Sequence, residues 1–422
     1  MKKLIINIVL FVLIASSCFS QPCLPDGIEF NIQTQIDSFQ INYPNCTEIE
    51  GDVFVNGNNI VNLYGLSVLN SIGGSLHIIN SDELTDLIGL ENLTSIGGTL
   101  DIYSNIALTS LTSLDNLNHI GEDVAIVSNP NLTTLGALNN INSLNGDLNI
   151  WNTALTNLSG LNNVTSIEGD LIIRFNATLS IISGLNNLTT IEKDFWIGSN
   201  DTLMDLGGFN SLTTIGGDFW IEYNKSLTNL ADLHNVTSIG GDCKIDWNVS
   251  LTSLLGLENL TSVDGNLYIL VNDVLTSLIG IENIDAASID GLYIYYNTSL
   301  SDCEVRSICD YISNPSGEIK IHDNDKGCNN QEEVEEACLA GVTLPIANSS
   351  IKIYPNPAIS EFYISNQDIR IIEITIYNQF GQAVFTNLKP DLKIDISSLN
   401  TGIYLIDLKT DKHRILKKLM IK

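Results

Sequence analysis

Apolar residues recur along this chain in short stretches that alternate apolar and polar positions, at intervals of about 24 residues. Each stretch reads apolar-x-apolar, and its second apolar residue is Ile or Val. The first apolar residues of the twelve stretches are Val53, Leu76, Leu100, Val124, Leu148, Leu171, Phe195, Phe219, Cys243, Leu267, Leu292 and Ile319. Alternation with a β-branched residue is typical of a strand buried on one side. Repetition at this interval predicts that the strands stack in a parallel sheet, as in a solenoid.

The segments between these strands carry Leu, Ile or Val at regular positions and polar residues elsewhere. Two patterns recur: Leu-Thr-x-Leu, as in residues 251–254, and Gly-Leu-x-Asn-Leu-Thr-Ser, as in residues 89–95 and 256–262. Gly, Asn, Thr and Ser occupy the predicted corners, and helix-forming stretches are nearly absent. We therefore predict an all-β fold, a right-handed parallel β-solenoid of about twelve rungs over residues 51–324, rather than a helix-backed horseshoe.

An Asn follows the Ile or Val of most strands by three residues. An inward Asn at a repeated corner can satisfy backbone groups that the turn leaves unpaired, so we expect a structural ladder and not a ligand site. The ladder comprises Asn58, Asn105, Asn129, Asn176, Asn200, Asn224, Asn248, Asn272, Asn297 and Asn324, with Asn152 taking the place in a rung shortened by one residue and Ser81 departing from the pattern.

A second ladder, of Asp, stands directly before many strands: Asp52, Asp123, Asp147, Asp170, Asp194, Asp218 and Asp242. Carboxylates one rung apart could bind calcium, because hard cations take oxygen ligands. The Asp-x-Asp-x spacing of dedicated calcium loops is missing, however. We therefore predict no metal site and expect each Asp to cap the amides of its own turn.

The N-terminus has the organisation of a secretory signal. A charged start is followed by an apolar run and by small residues, which predicts a signal peptide over residues 1–20 with cleavage before Gln21. Acylation of Cys18 is an alternative, but Ala15 stands where a lipobox normally has Leu. No later segment has the uninterrupted apolar length of a membrane span.

Six cysteines flank the regular repeats, and in an oxidising compartment they predict disulfides at both ends of the solenoid. In an N-terminal cap over residues 21–50, Cys23 can pair with Cys46. In a C-terminal cap over residues 301–340, we favour Cys303 with Cys328 and Cys309 with Cys338, and the other pairings stay open. Residues 302–311 and 331–337 look helical. Cys243 takes an inward strand position, which predicts a buried free thiol.

The charge is unevenly distributed. Residues 21–350 hold 7 Lys and Arg against 42 Asp and Glu, whereas residues 351–422 hold 10 against 7. The acidic solenoid disfavours nucleic acid and anionic membrane as partners. It favours a cationic partner, divalent ions or simple solubility outside the cell.

Large aromatic residues cluster at the outward positions of the strands. Such aromatics on a sheet can stack on sugar rings or anchor a protein partner, although they can equally stack on one another to protect the sheet. The predicted ligand-binding residues are Trp196, Trp220, Glu222, Tyr268 and Tyr293. Phe175, Tyr223, Trp247 and Tyr296 stand where the strands turn out.

Catalysis is the alternative function. Polysaccharide-degrading β-helix enzymes use clustered acids with Lys or Arg on a sheet, and Glu222 and Asp246 with Arg174 and Lys244 are the nearest candidates. The five His are scattered, and no Ser-His-Asp, Cys-His or metal-ligand spacing occurs. We therefore predict no enzymatic activity, no catalytic residue and no cofactor.

The rung pattern Ser-Ile-Gly-Gly-Asp-Phe-x-Ile-x-x-Asn, continued by Leu-Thr-x-Leu-x-x-Leu, resembles the receptor L-domain family over roughly residues 51–324. Members of that family are leucine-rich-like β-helices of receptor ectodomains and bacterial surface proteins. The resemblance implies binding rather than catalysis. Together with the outward aromatic residues, it predicts a protein or glycan ligand on the sheet.

Residues 351–422 resemble the type A sorting domain of the type IX secretion system of Bacteroidetes. Three blocks carry the resemblance: residues 353–357, Ile-Tyr-Pro-Asn-Pro; residues 376–382; and residues 395–405, followed by Lys417 and Lys418. The resemblance implies export across the outer membrane, contact with the secretion machinery, and surface attachment or release. Short apolar strands between Asn and Gly turns independently predict a small antiparallel β-sandwich, joined to the solenoid by a linker over residues 341–350.

Overall fold

The computed structural model describes residues 21–341, 352–365, 371–378, 382–387, 393–410 and 414–422. The predicted signal peptide lies outside the described residues. So does the predicted linker, apart from residue 341, which ends a helix.

The main feature of the chain is a parallel sheet of thirteen strands, one from each turn of a solenoid. The strands are Ile28–Phe30, Val53–Asn56, Leu76–Ile79, Leu100–Tyr103, Val124–Asn129, Leu148–Thr153, Leu171–Arg174, Phe195–Gly198, Phe219–Glu222, Cys243–Asp246, Leu267–Leu270, Leu292–Tyr295 and Ile319–His322. The first apolar residues of the twelve predicted strands pair with one another in order, from Val53 to Ile319. The predicted fold class is therefore confirmed.

The thirteenth strand, Ile28–Phe30, lies within the segment predicted to be only a cap. Ile28 pairs with Val53, 25 residues further on. The N-terminal segment therefore contributes one more rung, whose Ile-Glu-Phe repeats the apolar-x-apolar pattern.

In eleven of the thirteen rungs, a second wall is a strand of two to four residues. These strands form two parallel sheets: Gln21–Cys23, Cys46–Ile49, Ser71–Ile72, Ser95–Ile96 and His119–Ile120 in one, and Ser143–Leu144, Ser166–Ile167, Thr190–Ile191, Thr214–Ile215, Ser238–Ile239 and Ser262–Val263 in the other. Between the strands Val53–Asn56 and Leu292–Tyr295, the rungs contain only single turns of 3₁₀ helix, at Tyr64–Leu66, Thr112–Leu114, Gly136–Leu138, Ala231–Leu233 and Ala286–Ser288. The absence of helical backing in these rungs agrees with the prediction of a β-solenoid.

The inward residues of every wall form one continuous apolar core. Leu, Ile, Val and Phe from successive rungs stack with almost no exposure, and Cys243 is buried among them as a free thiol. Burial raises the pKa of the Cys243 thiol to about 12. The predicted buried free thiol is confirmed.

The Asn ladder links successive rungs through buried side chains. Asn224 is typical: its Oδ1 accepts the amide N–H of Asn200, and its Nδ2 donates to the carbonyl of Ile197. The same pair of bonds recurs at Asn105, Asn129, Asn176, Asn200, Asn248, Asn272, Asn297 and Asn324. Each Asn therefore satisfies two backbone groups that the corner would otherwise leave unpaired in the interior.

Two members of the predicted ladder are wrong. In the shorter rung Thr153, not Asn152, takes the inward place, and its amide and hydroxyl both donate to Asn176 Oδ1. The strand there runs to Thr153, so the missing residue lies after the corner. Asn58 is exposed, and the ladder begins instead at Ser81, whose hydroxyl accepts the amide of Gly57.

The Asp ladder also connects rungs, which corrects its predicted role. Asp194 Oδ1 accepts the amide of Asp218 in the next rung, at 2.8 Å, rather than an amide of its own turn. Asp52, Asp123, Asp147, Asp170, Asp218 and Asp242 bond in the same way. Burial raises the pKa of Asp170 and of Asp218, and the neighbouring carboxylates add to the shift while the amide bond opposes it.

Both ends of the solenoid are closed by short helices and disulfides. Helices Gln33–Asp37 and Phe39–Asn42 bury Ile36 and Phe39 at the N-terminal end. Helices Arg306–Ser313 and Gln331–Gly341 cover the other end, so the first predicted helix begins four residues late and the second extends beyond its predicted end. The disulfides join Cys23 with Cys46, Cys303 with Cys328 and Cys309 with Cys338, the pairing that the sequence favours.

The C-terminal segment forms two antiparallel sheets around a core of its own, as predicted. One sheet contains Lys352–Tyr354, Glu361–Ser365 and Lys393–Asp395; the other contains Ala383–Asn387, Ile371–Tyr377, Gly402–Thr410 and Arg414–Ile421. Asn356 of the first sequence block donates to the carbonyl of Lys418 and accepts the amide of Met420. The first block and the terminal strand of this segment are thus held together. Residues 379–381 of the middle block lie outside the described residues.

Replacing Asn224 with Ala should destabilise the solenoid by about 2 kcal/mol, because two buried backbone groups lose their partners. Urea-induced unfolding of the purified protein measures this change. The matched control is the exposed Asn58, whose replacement with Ala should change the free energy of unfolding by no more than about 0.5 kcal/mol. Equal effects at the two positions would contradict the structural role of the ladder.

Candidate functional site

The outward side chains of the large sheet form three columns along the solenoid. The first column contains Ile172, Trp196, Trp220, Lys244, Tyr268 and Tyr293 in successive rungs. The second contains Trp151, Arg174, Gly198, Glu222, Asp246, Leu270 and Tyr295. The third, which we call the corner column, contains the residues that follow the second: Phe175, Ser199, Tyr223, Trp247, Val271 and Tyr296.

Four charged residues of the first two columns form one network, the ion network of Arg174, Glu222, Lys244 and Asp246. Arg174 Nη2 lies 3.2 Å from Glu222 Oε1, and Lys244 Nζ lies 3.1 Å from Glu222 Oε2 and 3.3 Å from Asp246 Oδ2. Trp196 Nε1 also donates to Glu222 Oε1, at 3.0 Å. Two cations and two carboxylates leave the network neutral overall.

The bond between Arg174 and Glu222 spans two rungs, and Gly198 makes it possible. A Cβ atom on this buried glycine would lie 3.2 Å from Arg174 Nε and 3.3 Å from Glu222 Cγ. A larger side chain in this rung would therefore crowd both partners. Sequence reasoning missed Gly198, although a glycine in a column of large side chains signals a close approach of its neighbours.

Burial sets the electrostatics of this network. Glu222 is 5% exposed and Asp246 is 6% exposed, so neither carboxylate is open to a ligand. Burial raises the pKa of Asp246, although Lys244 opposes the shift. Burial lowers the pKa of Lys244, but bonds to Glu222 and Asp246 outweigh it and the net pKa is raised. Arg174 Nε and Asp246 Oδ1 are buried without a hydrogen-bond partner in the described part of the chain.

The aromatic rings of the first column form two separate pairs. Trp196 and Trp220 meet edge to face, with ring centroids 4.9 Å apart and an interplanar angle of 83°. Tyr268 and Tyr293 stack face to face at 4.6 Å. Lys244 stands between the pairs, and the Arg174 guanidinium lies 3.6 Å over the Trp196 ring. The predicted residues therefore share one side of the sheet but do not form a flat platform.

The corner column differs from the first column in exposure and in backbone conformation. Phe175, Tyr223, Trp247 and Tyr296 are 42–49% exposed. All four have φ between 55° and 60°, in the left-handed region. Bulky residues are rare there, at a cost of about 1 kcal/mol each. Earlier rungs place Asn80, Ser104, Ser128 and Asn152 in the same conformation.

The described residues contain no group of three or more His, Cys, Asp and Glu side chains placed to hold a metal ion. The Asp ladder uses one carboxylate oxygen of each residue for an amide of the next rung, as at Asp194 and Asp218. The described residues also include no helix that is long and apolar enough to cross a membrane.

Comparison with known families identifies two parts of the chain. Residues 45–140 match the model of the receptor L domain, and residues 352–422 match the model of the secretion system C-terminal sorting domain. Both resemblances stated from the sequence are thereby confirmed, the first over residues 45–140 of the range 51–324. No curated protein matches the chain.

The sorting domain places the chain among proteins that the type IX secretion system exports to the cell surface or beyond it. The receptor L domain match begins just before the strand Cys46–Ile49 and covers the rungs that begin at Val53, Leu76, Leu100 and Val124. The later rungs keep the same register to Ile319. The first rungs of the β-solenoid, residues 45–140, therefore match the receptor L domain, and residues 352–422 are a C-terminal sorting domain that marks the chain for export.

The ion network should contribute strongly to stability. Replacing Glu222 with Gln removes the negative charge that binds both Arg174 and Lys244. The amide N–H₂ of Gln would also face one of these two cations. We expect a loss of about 2 kcal/mol or more in the free energy of unfolding. Urea titration monitored by Trp fluorescence checks this value, and the exposed Glu192→Gln is the matched control, with an expected change within about 0.5 kcal/mol.

Proposed function

We propose that the solenoid is a non-catalytic binding or adhesion module that presents its outward strand face to a protein or glycan outside the cell. The sorting domain accounts for export and for contact with the secretion machinery. The observation that supports a binding role is the concentration of all four Trp of the chain on one face, in rungs that begin at Leu148, Phe195, Phe219 and Cys243. Trp247 is exposed and the other three are partly exposed. Solvent-accessible aromatic side chains grouped on one face are typical of interaction sites.

The ion network supports this proposal over the enzymatic alternative. A glycosidase needs two accessible carboxyl groups on either side of the scissile bond. Here Glu222 Oε1 is occupied by Arg174 and Trp196, and Oε2 by Lys244. Asp246 shares the same Lys244. With both carboxylates buried, the four side chains stabilise the sheet surface and position Trp196 rather than face a substrate.

Replacing Trp196 and Trp220 with Ala tests the predicted first-column site. If these side chains anchor the ligand, binding should weaken by about thirtyfold, because an anchoring aromatic contributes about 2 kcal/mol or more. A glycan array and a screen against extracellular proteins identify the ligand, and a titration measures the loss. The control variant Tyr64→Ala removes an aromatic side chain that is 58% exposed and lies outside this face. The affinity of this variant for the ligand should equal that of the parent. Unchanged binding by the double variant would contradict the first-column site.

Removing residues 351–422 tests the export assignment. The truncated protein should accumulate in the periplasm, whereas the parent reaches the cell surface or the medium. Fractionation with immunoblotting measures the distribution. The point variant Asn356→Ala loses two bonds to the terminal strand, so it should export less efficiently than the parent. Normal surface display of the truncated form would contradict the assignment.

A polysaccharide panel with product analysis separates binding from catalysis. The protein should bind or ignore each polymer without shortening it. Release of reducing ends or of unsaturated products that disappears in the Glu222→Gln variant would establish the enzymatic alternative instead.

A further inference from the structure

The corner column combines two features that both oppose folding. Its four aromatic residues hold a backbone conformation that bulky side chains disfavour, and they leave more than two fifths of their surface in solvent. Ser104, Ser128 and Ser199 show that a small polar residue fits the same corner. The aromatic side chains are therefore not required to build the rung, which points to a role in binding.

The aromatic rings of this column lie at intervals of one or two rungs along the solenoid. Tyr223 and Trp247, one rung apart, stack with centroids 5.5 Å apart and an interplanar angle of 11°. Since one face of Tyr223 lies on Trp247, its other face is turned toward Ser199, whose side chain is small. Phe175 stands on the far side of Ser199, two rungs or about 9.6 Å from Tyr223. The Arg174 guanidinium already lies 4.9 Å from the centroid of the Phe175 ring. Within this interval, a side chain of a partner would therefore lie against the Tyr223 face.

The polar groups of the face argue against a sugar as that partner. Carbohydrate binding needs free hydrogen-bonding side chains beside an open ring face, because each hydroxyl must replace its bonds to water. Lys244 bonds to both Glu222 and Asp246, and the two carboxylates are buried. In the first column, ring faces are taken by Tyr268 on Tyr293 and by Arg174 on Trp196.

The charge of the solenoid selects among protein partners. Residues 21–350 contain 42 acidic and 7 basic residues, and two of those seven, Arg174 and Lys244, are held in the ion network. A second copy of this chain would be repelled, whereas a basic protein would be attracted over long range. Guanidinium and ammonium groups also bind the faces of Tyr and Trp.

We infer that the four aromatic residues of the corner column form a docking site for a basic protein segment whose Arg or Lys side chains lie against the exposed rings. These residues are Phe175, Tyr223, Trp247 and Tyr296. This inference rests on the proposed function as a binding module and moves its contact surface from the first column to the corner. The acidic solenoid accelerates the encounter, and the aromatic corner determines where the segment lies.

The test uses the mature full-length chain and synthetic peptides as probes. Calorimetric titration compares a peptide of four Gly-Arg-Tyr repeats with matched peptides that carry Lys or Glu in place of Arg, and with a neutral hexasaccharide. We expect the Arg peptide to bind, the Lys peptide to bind more weakly, and the Glu peptide and the sugar not to bind. Affinity for the Arg peptide should fall as the salt concentration rises.

The decisive variant is Tyr223→Ser with Trp247→Ser, because Ser occupies this corner in other rungs. It should lose at least about tenfold in affinity for the Arg peptide while its Tm stays equal to or above that of the parent. The control Tyr64→Ser removes an exposed aromatic elsewhere without changing the charge, so it should bind as the parent does.

Each other result overturns the corner site. Undiminished binding by the double Ser variant, a lower Tm of that variant, binding of the Glu peptide or the sugar, or no binding of any peptide would do so. Loss of binding confined to the Trp196→Ala and Trp220→Ala variant would overturn the corner but keep the binding module. Shortened polysaccharide products would instead overturn the proposed function itself.

Discussion

Every rung of this solenoid must satisfy the backbone groups at its corners, and between Val53 and Tyr295 no α-helix covers them. The Asn ladder meets this constraint: each Oδ1 accepts an amide of the preceding rung and each Nδ2 donates to a carbonyl of that rung's strand. Since each such side chain bonds to a neighbouring rung, the ladder also fixes the register of the sheet. The Asp ladder repeats this arrangement at the start of the strands with carboxylate oxygens.

A fixed register determines which outward side chains can meet. Side chains at equivalent positions lie one rung apart, so Trp196 meets Trp220 and Tyr268 meets Tyr293. The same register places Arg174 two rungs from Glu222, a gap that their side chains bridge only across a glycine. The solenoid therefore fixes the spacing of its outward side chains. The chemistry of the face depends on which residues occupy the same column in consecutive rungs.

The sequence predicted those features that depend only on the type of residue at a single repeat position. The inward apolar residues, the buried Cys243 and most of the Asn ladder belong to this kind. The disulfides follow the pairing that the sequence favoured among the alternatives it left open. The prediction from sequence was wrong where the structure depends on which of two neighbouring polar residues faces the core. Asn152 and Thr153 are both polar, and only the length of the strand decides that Thr153 faces the core. The short strand Ile28–Phe30 was missed because it precedes the regular period.

The candidate site was predictable in its residues but not in its geometry. Column membership follows from the period of two along each strand, which placed Trp196, Trp220, Tyr268 and Tyr293 together. The orientation and burial of the rings depend on side-chain torsions and on residues up to two rungs away. The sequence pattern of a single rung does not specify either of these. Glu222 illustrates the difference, since an outward strand position suggested an open carboxylate whereas Arg174, Trp196 and Lys244 enclose it. With those polar groups satisfied internally, the exposed aromatic rings of the corner column are the contacts that the proposed docking would use.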